Sequence, residues 1–409
     1  MRPAGGSERW AEYTALVAVW LATRAIALAS VDMTPWMLND LRVYEGWLPT
    51  LQHLAFPVLD PTWQYPPGAS LVFLGADLSP IPFRWSFTVF VLLVDAAILA
   101  TLFVAHARTP GARWRGLWMW ALAAIVVGPI MLTRFDLVPT LFAVLAIALA
   151  GRPAWSGVMA AVGFAVKLWP ALMLLALPRS GTRRGVVSFA LTSLVMLASF
   201  ALLFDNSLSF LSNQRARGIQ VESTGALPYL LHSLTGGDVA FGLEYGSIQV
   251  LMNGTDVIGT LVTIVGVALL GVIAWWRFRG RLDSVPTGDV ALTLMLVSVA
   301  TSRVYSPQFN TWLVGIAAIA LISRRCRLGA VSVLVIVIAV LTQSVYPWMA
   351  TQLVTGGTAA IAVQSLRIVL LLVATTMAMR SIAASRNERP AHVAVSASDD
   401  ARQTLEGPY

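Results

Sequence analysis

Eleven apolar runs separated by polar gaps constrain this chain more than any other feature. They cover roughly 10–31, 82–105, 116–132, 136–150, 154–178, 185–204, 256–276, 288–304, 307–322, 328–345 and 361–380. A transmembrane helix needs about 20 predominantly apolar residues, and most of these runs reach or approach that length. Charged residues make up only 12% of the 409, against roughly 25% in soluble domains. That is too little charge to coat a soluble surface around 57% apolar residues. The pattern excludes a soluble enzyme, a secreted disulfide scaffold and a disordered chain. It predicts an all-α polytopic membrane protein.

Arginine placement orients the spans. Lys167 is the only lysine, so nearly all of the 28 basic residues are arginine. Short arginine-rich gaps are expected on the cytoplasmic side: Arg108/Arg113/Arg115, Arg152, Arg179/Arg183/Arg184, Arg277/Arg279/Arg281, Arg324/Arg325/Arg327 and Arg380/Arg386/Arg389. One conflict arises, because Arg152 and Arg179 flank the same run, 154–178, and both ends read as cytoplasmic. A re-entrant pair of short helices broken at Lys167-Leu168-Trp169-Pro170 removes it, since irregular backbone is tolerated at membrane depth when protein surrounds it. About ten transmembrane helices then remain in one domain, 1–383, of a multi-pass plasma-membrane protein. Both termini are cytoplasmic, nineteen arginines lie inside and six outside. The polar tail, 384–409, is expected to be disordered. The long loops 32–81 and 205–255 face outward, which places the working surface there. The first span is expected to stay uncleaved, because Arg24 interrupts its apolar core.

Chemistry-bearing residues concentrate in those loops. Leu41, Trp47, Leu48 and Leu51 are spaced for an amphipathic helix along the interface, with Asp40 just before it. Two roles fit Asp40: capping that helix, or acting as a general base toward an acceptor hydroxyl. Asp136 follows Arg134 at the outer start of a span, and Arg134 is its expected partner. Asp95, deep in a span, requires a cation such as Arg24 or Arg367. Lys167 at its helix break could hold a lipid phosphate, pair with a carboxylate or snorkel. Arg215, Arg217, Gln220 and Glu222 form a dense polar cluster. Arginine forks suit phosphate oxygens, and Gln or Glu suit sugar hydroxyls. Arg303, Ser306 and Gln308 stand at another outer boundary, where Pro307 fits a first helical turn.

Other classes find no support. The lone lysine lacks the glycine pattern of an ATP-binding loop, and the four histidines (His53, His106, His232, His392) are too scattered for a zinc site. No Asp-x-Asp is present to hold a metal–nucleotide sugar, and the arginines lack the basic face of a nucleic-acid binder. The expectation is therefore no metal, no cofactor and no nucleic-acid partner.

Six motifs occur in order: Asp40-Leu41-Arg42-Val43-Tyr44, Tyr65-Pro66-Pro67, Arg134-Phe135-Asp136-Leu137-Val138-Pro139, Lys167-Leu168-Trp169-Pro170, Arg217-Gly218-Ile219-Gln220-Val221-Glu222-Ser223 and Ser306-Pro307-Gln308-Phe309. Together they resemble the actinobacterial family-87 membrane glycosyltransferases of the GT-C class. That group includes polyprenol-phosphate-mannose-dependent α-mannosyltransferases. The resemblance implies a GT-C-type fold with an extracytoplasmic cavity, a polyprenyl-phosphate sugar donor and a lipid-linked or glycan acceptor. It matches Asp40 to the general base of an inverting transfer. Arg215, Arg217, Arg303 and Lys167 are the expected phosphate ligands. Tyr44, Tyr65, Arg134, Asp136, Gln220, Glu222, Ser306 and Gln308 are the expected sugar-site residues. The rival expectation is a transporter or flippase for lipid-linked sugars, which would use the same arginines and Asp95 as a path.

Overall fold

The computed structural model describes residues 6–215 and 218–385. Arg217 and residues 386–409 of the expected tail lie outside the described residues, as do the side chains of 213–215. Six described stretches are long and apolar enough to cross a bilayer: Trp10–Val31, Phe83–Arg108, Arg179–Leu203, Thr255–Phe278, Gly329–Val354 and Thr358–Ala384. Four shorter apolar helices accompany them, Leu137–Ala148, Pro153–Val166, Thr287–Ala300 and Phe309–Ile322.

From the start of the chain, helix α1 (Gly6–Val31) leads through a short turn into α2 (Asn39–Gln52), α3 (Ala69–Asp77) and the long α4 (Phe83–Arg108). Residues Leu41, Tyr44, Trp47, Leu48 and Leu51 of α2 are buried, the face set by its i, i+3, i+4, i+7 spacing. Run 116–132 is not one span. It folds as α5 (Arg115–Ala121), α6 (Ala123–Val127) and α7 (Ile130–Thr133), interrupted at Gly128-Pro129, where Gly128 takes φ 83°. Proline cannot donate within the ladder there and removes a helical hydrogen bond. The buried Arg24 of α1 pairs with Asp95 of α4, Nε to Oδ2 2.6 Å, which satisfies that intramembrane carboxylate.

Helices α8 (Leu137–Ala148) and α9 (Pro153–Val166) follow. Helix α9 ends at Lys167, whose backbone is extended, and the chain continues through a 3₁₀ turn into α10 (Met173–Ala176) and then α11 (Arg179–Leu203). Gly181 packs against the ring of Pro153, and Gly157 lies against the backbone of Gly185 so closely that a Cβ would strike its carbonyl oxygen. The start of α9 and the start of α11 therefore share one side of the bundle. Both ends of run 154–178 thus lie close together.

The second long loop holds α12 (Phe210–Arg215), α13 (Leu227–Leu234) and an antiparallel hairpin, β1 (Phe241–Glu244) and β2 (Ser247–Val250), in the register Phe241↔Val250 and Glu244↔Ser247. The all-α expectation is corrected here. Tyr245 and Gly246 both have positive φ, 52° and 70°, the conformation a two-residue hairpin turn uses. The remaining helices are α14 (Thr255–Phe278), α15 (Thr287–Ala300), α16 (Phe309–Ile322), α17 (Gly329–Gln343), α18 (Ala350–Val354) and α19 (Thr358–Ser385).

Nearly every residue of α15 and α16 is buried, so these two helices form the centre of the bundle. A helix apolar on all sides fits such a position. Helix α11, in contrast, exposes Val186, Leu191, Leu194, Val195 and Leu202, an outward apolar surface suited to lipid. The central helices have 14 residues each, about 21 Å at 1.5 Å per residue, against a hydrocarbon core of about 30 Å. Their short length leaves room for a recess at the end where the long loops gather.

Candidate active site

That recess is a cavity of about 1050 Å³. Its walls come from α2, the turn at 61–65, the segment before α8, residues 220–222, the hairpin tip, residues 306–308 and residues 345–353. Among the described residues Arg134 is the single basic side chain in its lining, beside three carboxylates, Asp40, Glu222 and Glu244.

Asp40 lies in the first turn of α2 and is not its N-cap residue, which is Leu38. With the apolar face of α2 turned into the core, Asp40 faces the cavity and accepts a hydrogen bond from Arg134 Nη1. Burial raises the Asp40 carboxyl above its ordinary range, against the opposing pull of Arg134. Arg134 itself sits in extended backbone, φ −126° and ψ 151°, between α7 and α8. Its Nε is buried and has no hydrogen-bond partner among the described residues.

Extended backbone sends successive side chains to opposite sides. Arg134 points to the cavity and Phe135 is fully buried. Asp136 is drawn away into a separate site, where its Oδ1 accepts from Lys167 Nζ at 2.6 Å and from Trp312 Nε1 at 2.7 Å. The expected Arg134–Asp136 pair is thus corrected: Arg134 pairs with Asp40, and Asp136 pairs with Lys167. The Lys167 ammonium also lies 4.9–5.7 Å from the ring centroids of Phe135, Trp312, Tyr65 and Phe309. Such placement over ring faces is attractive to a cation. Neither Lys167 nor Asp136 lines the cavity. Tyr65 does, held by the Pro66-Pro67-Gly68 turn, where a Cβ on Gly68 would come within 2.5 Å of the Ala165 carbonyl oxygen.

On the facing wall, the Gln220 amide is fixed from both ends. Its Oε1 accepts from Ser306 Oγ at 3.2 Å, and its Nε2 donates to Glu222 Oε2 at 2.9 Å. The backbone carbonyl of Glu222 accepts from Gln364 Nε2 at 2.9 Å and from Arg367 Nη2 at 2.5 Å. Burial pushes the Glu222 carboxyl up to about 7, although Arg367 and Arg134 oppose the shift. Gln308 stands just before α16 with its buried Oε1 free of any partner among the described residues, and Tyr44 presents a buried phenol with no described partner.

The structure does not bring every expected residue to this cavity. Arg303 bonds instead to Thr260 Oγ1 and Thr263 Oγ1 of α14 at 3.2 and 3.3 Å. Neither Arg303 nor Lys167, both expected as phosphate ligands, is among the residues that line the cavity. Arg217 and the side chain of Arg215 lie outside the described residues. Conversely, Tyr346, Trp348 and Thr351 line the cavity from a segment that hydropathy merges with the preceding span. The aromatic residues flanking Pro347 were the available signal. Trp36, Gln64, Glu244 and Tyr245 are further lining residues that the sequence reading passed over.

The family model of glycosyltransferase family 87 matches residues 63–307, more than half of the chain. The chain belongs to glycosyltransferase family 87. Nothing among the curated proteins and nothing among the solved structures matches it. Family membership makes the chain a transferase of sugars with a donor and an acceptor, embedded in a membrane. The matched segment contains Tyr65, Arg134, Gln220, Glu222 and Ser306 of the cavity wall, whereas Asp40, Gln308 and Tyr346 fall outside it.

Proposed function

We propose that this family-87 glycosyltransferase transfers mannose from a polyprenyl-phosphate donor to a glycolipid or glycan acceptor. The reaction takes place on the extracytoplasmic face of the plasma membrane and inverts the anomeric centre. Asp40 takes the proton from the acceptor hydroxyl as that oxygen attacks C1, and polyprenyl phosphate departs. The observation that carries this reading is the Asp40–Arg134 pair in the wall of the cavity. It sets a carboxylate with a raised pKa beside a fixed cation whose Nε–H is unspent. A preorganised cation stabilises the charge developing on a leaving phosphate. Arg215 and Arg217 would complete the phosphate site from the second outer loop. Tyr44, Tyr65, Gln220, Ser306 and Gln308 supply rings and hydrogen-bonding groups to the sugars. The bias of arginines toward the opposite ends of the helices supports the extracytoplasmic placement.

A flippase would need charged groups along a route through the spans. Within the helices such groups pair with one another, Arg24 with Asp95 and Lys167 with Asp136.

The test uses purified protein in nanodiscs with radiolabelled polyprenyl-phosphate mannose and membrane glycolipids as acceptors. Wild type should form labelled glycolipid, and Asp40→Asn should not. An active Asp40→Asn enzyme removes the base assignment. Product from an arabinofuranose donor alone changes the sugar.

A further inference from the structure

A cavity with one lining cation and three lining carboxylates suits a phosphate donor poorly if every carboxylate is ionised. The mismatch grows during the reaction. A sugar phosphodiester carries one negative charge, and the monoester it leaves behind takes on a second unless a proton arrives. Glu222 is the group in this wall built to hold such a proton. Its Oε2 already accepts from Gln220 Nε2, while the oxygen of the same amide accepts from Ser306 Oγ. Its Oε1 makes no hydrogen bond among the described residues, and Arg367 Nη1 is 3.7 Å away, beyond hydrogen-bond range. Arg367 spends its donors elsewhere, on the Glu222 backbone carbonyl and on Thr342 Oγ1, with its guanidinium 4.3 Å from the centroid of the Tyr305 ring.

We propose that Glu222 is the general acid of the transfer, its carboxyl proton passing to the phosphate oxygen that leaves C1. The inference rests on the transfer reading above. In the step, the acceptor oxygen forms its bond to C1 and gives its proton to Asp40. The C1–O bond to phosphate breaks, its electron pair stays on that oxygen, and the Glu222 proton moves there. Polyprenyl phosphate leaves as the monoester monoanion. Asp40 then releases its proton to water and Glu222 regains one, so the cycle is balanced.

Proton affinities match. Burial holds the Glu222 carboxyl at about 7, and the second ionisation of a phosphate monoester lies near 6, so transfer between them is close to isoenergetic. The groups facing Glu222 are Arg367 of α19, Arg134 before α8, Tyr305 before α16 and Tyr346 after α17. Across the same cavity stand Asp40 and Glu244. Burial raises the Tyr305 phenol above its ordinary value. Among these groups, Glu222 is the one placed to lose a proton near neutrality.

The experiment measures kcat and donor KM for wild type and Glu222→Gln between about pH 5.5 and 8.5, in nanodiscs, with polyprenyl-phosphate mannose. Wild-type kcat should fall tenfold per pH unit above about pH 7. Glu222→Gln should lower kcat by about 10²-fold at pH 6, leave donor KM within about threefold, and abolish the alkaline fall. Glu222→Asp should restore part of both. A wild-type profile flat from pH 6 to 8.5 overturns the proposal without any variant. So does a Glu222→Gln enzyme that raises KM and keeps kcat, which is the signature of binding alone. Gel filtration and thermal unfolding of the variant separate these results from misfolding. Wild type silent with mannose and arabinofuranose donors refutes the transfer reading itself, a different outcome from an active enzyme with a flat profile.

Discussion

Two ion pairs stand two residues apart in this chain, and they do different work. Arg134 meets Asp40 in the cavity wall, with 13% and 21% of their side chains exposed. Asp136 meets Lys167 with 2% and 13% exposed, and four aromatic rings, Trp312 among them, surround the ammonium. The chemistry is the same in each, a carboxylate and a cation in contact. The surroundings differ. In the first, one arginine nitrogen remains unspent and the carboxylate faces open space that a substrate can enter. In the second, the carboxylate already has two donors, and the cation is committed to it and to the rings. The first pair can exchange partners during a reaction, whereas the second is built to stay closed.

The largest effect should come from Asp40→Asn. Removing a general base costs about 10²–10⁴ in rate, so kcat should drop by that factor with an unchanged melting temperature. Single-turnover assays beside thermal unfolding in detergent will check it. Because burial raises the Asp40 carboxyl, wild-type activity should fail on the acid side at a pH above that of an ordinary aspartate. The sign follows from the role: the base works when ionised, so activity rises as pH climbs through its pKa.

Lys167→Met should produce the reverse pattern. Stranding a buried carboxylate by removing its partner costs about 3–5 kcal/mol. The variant should unfold at a clearly lower temperature, while kcat per folded molecule stays within about tenfold. A Lys167→Met enzyme that is fully stable but inactive would collapse the distinction between the two pairs. Arg134→Lys lies between these extremes. It keeps the charge but loses the planar fork, and should lower kcat by about 10–100-fold with little change in stability.

Much of this division could be read from the sequence, and some could not. The break at Lys167 was legible because Arg152 and Arg179 demanded a run that returns to its own side, and Pro170 forbade a continuous helix. The face of α2 was legible from Leu41, Trp47, Leu48 and Leu51. The partner of Arg134 was not. Sequence neighbours suggested Asp136, but the backbone changes from extended at Arg134 to helical at Asp136, φ −62° and ψ −18°, and the two side chains end in different sites. Asp40, 94 residues earlier in the chain, became the partner through tertiary packing alone. The hairpin 241–250 was hidden because four-residue strands within a polar loop carry too little period-2 signal. The segment around Tyr346 was masked by its apolar neighbours, which extend the hydropathy of α17 across the turn.

Arg303 gives the smallest expected effect and sharpens the comparison from outside. Its sequence context resembles that of Arg134: an arginine at the loop end of a short buried helix, followed by aromatic and hydrogen-bonding residues. Its side chain turns to Thr260 and Thr263 on α14 instead of the cavity. Two hydrogen bonds from the guanidinium to neutral hydroxyls at an exposed site contribute about 1 kcal/mol each. Arg303→Gln should therefore change donor KM and kcat by less than about threefold and lower the melting temperature slightly. The Gln220 backbone N–H would keep its partner, because it donates to the Arg303 backbone carbonyl, which the substitution leaves in place. A tenfold rise in donor KM for Arg303→Gln would show that this arginine swings into the cavity when phosphate arrives. The cationic side of the site would then rest on two arginines, and the contrast between an open and a closed pair would no longer account for which charges meet the donor.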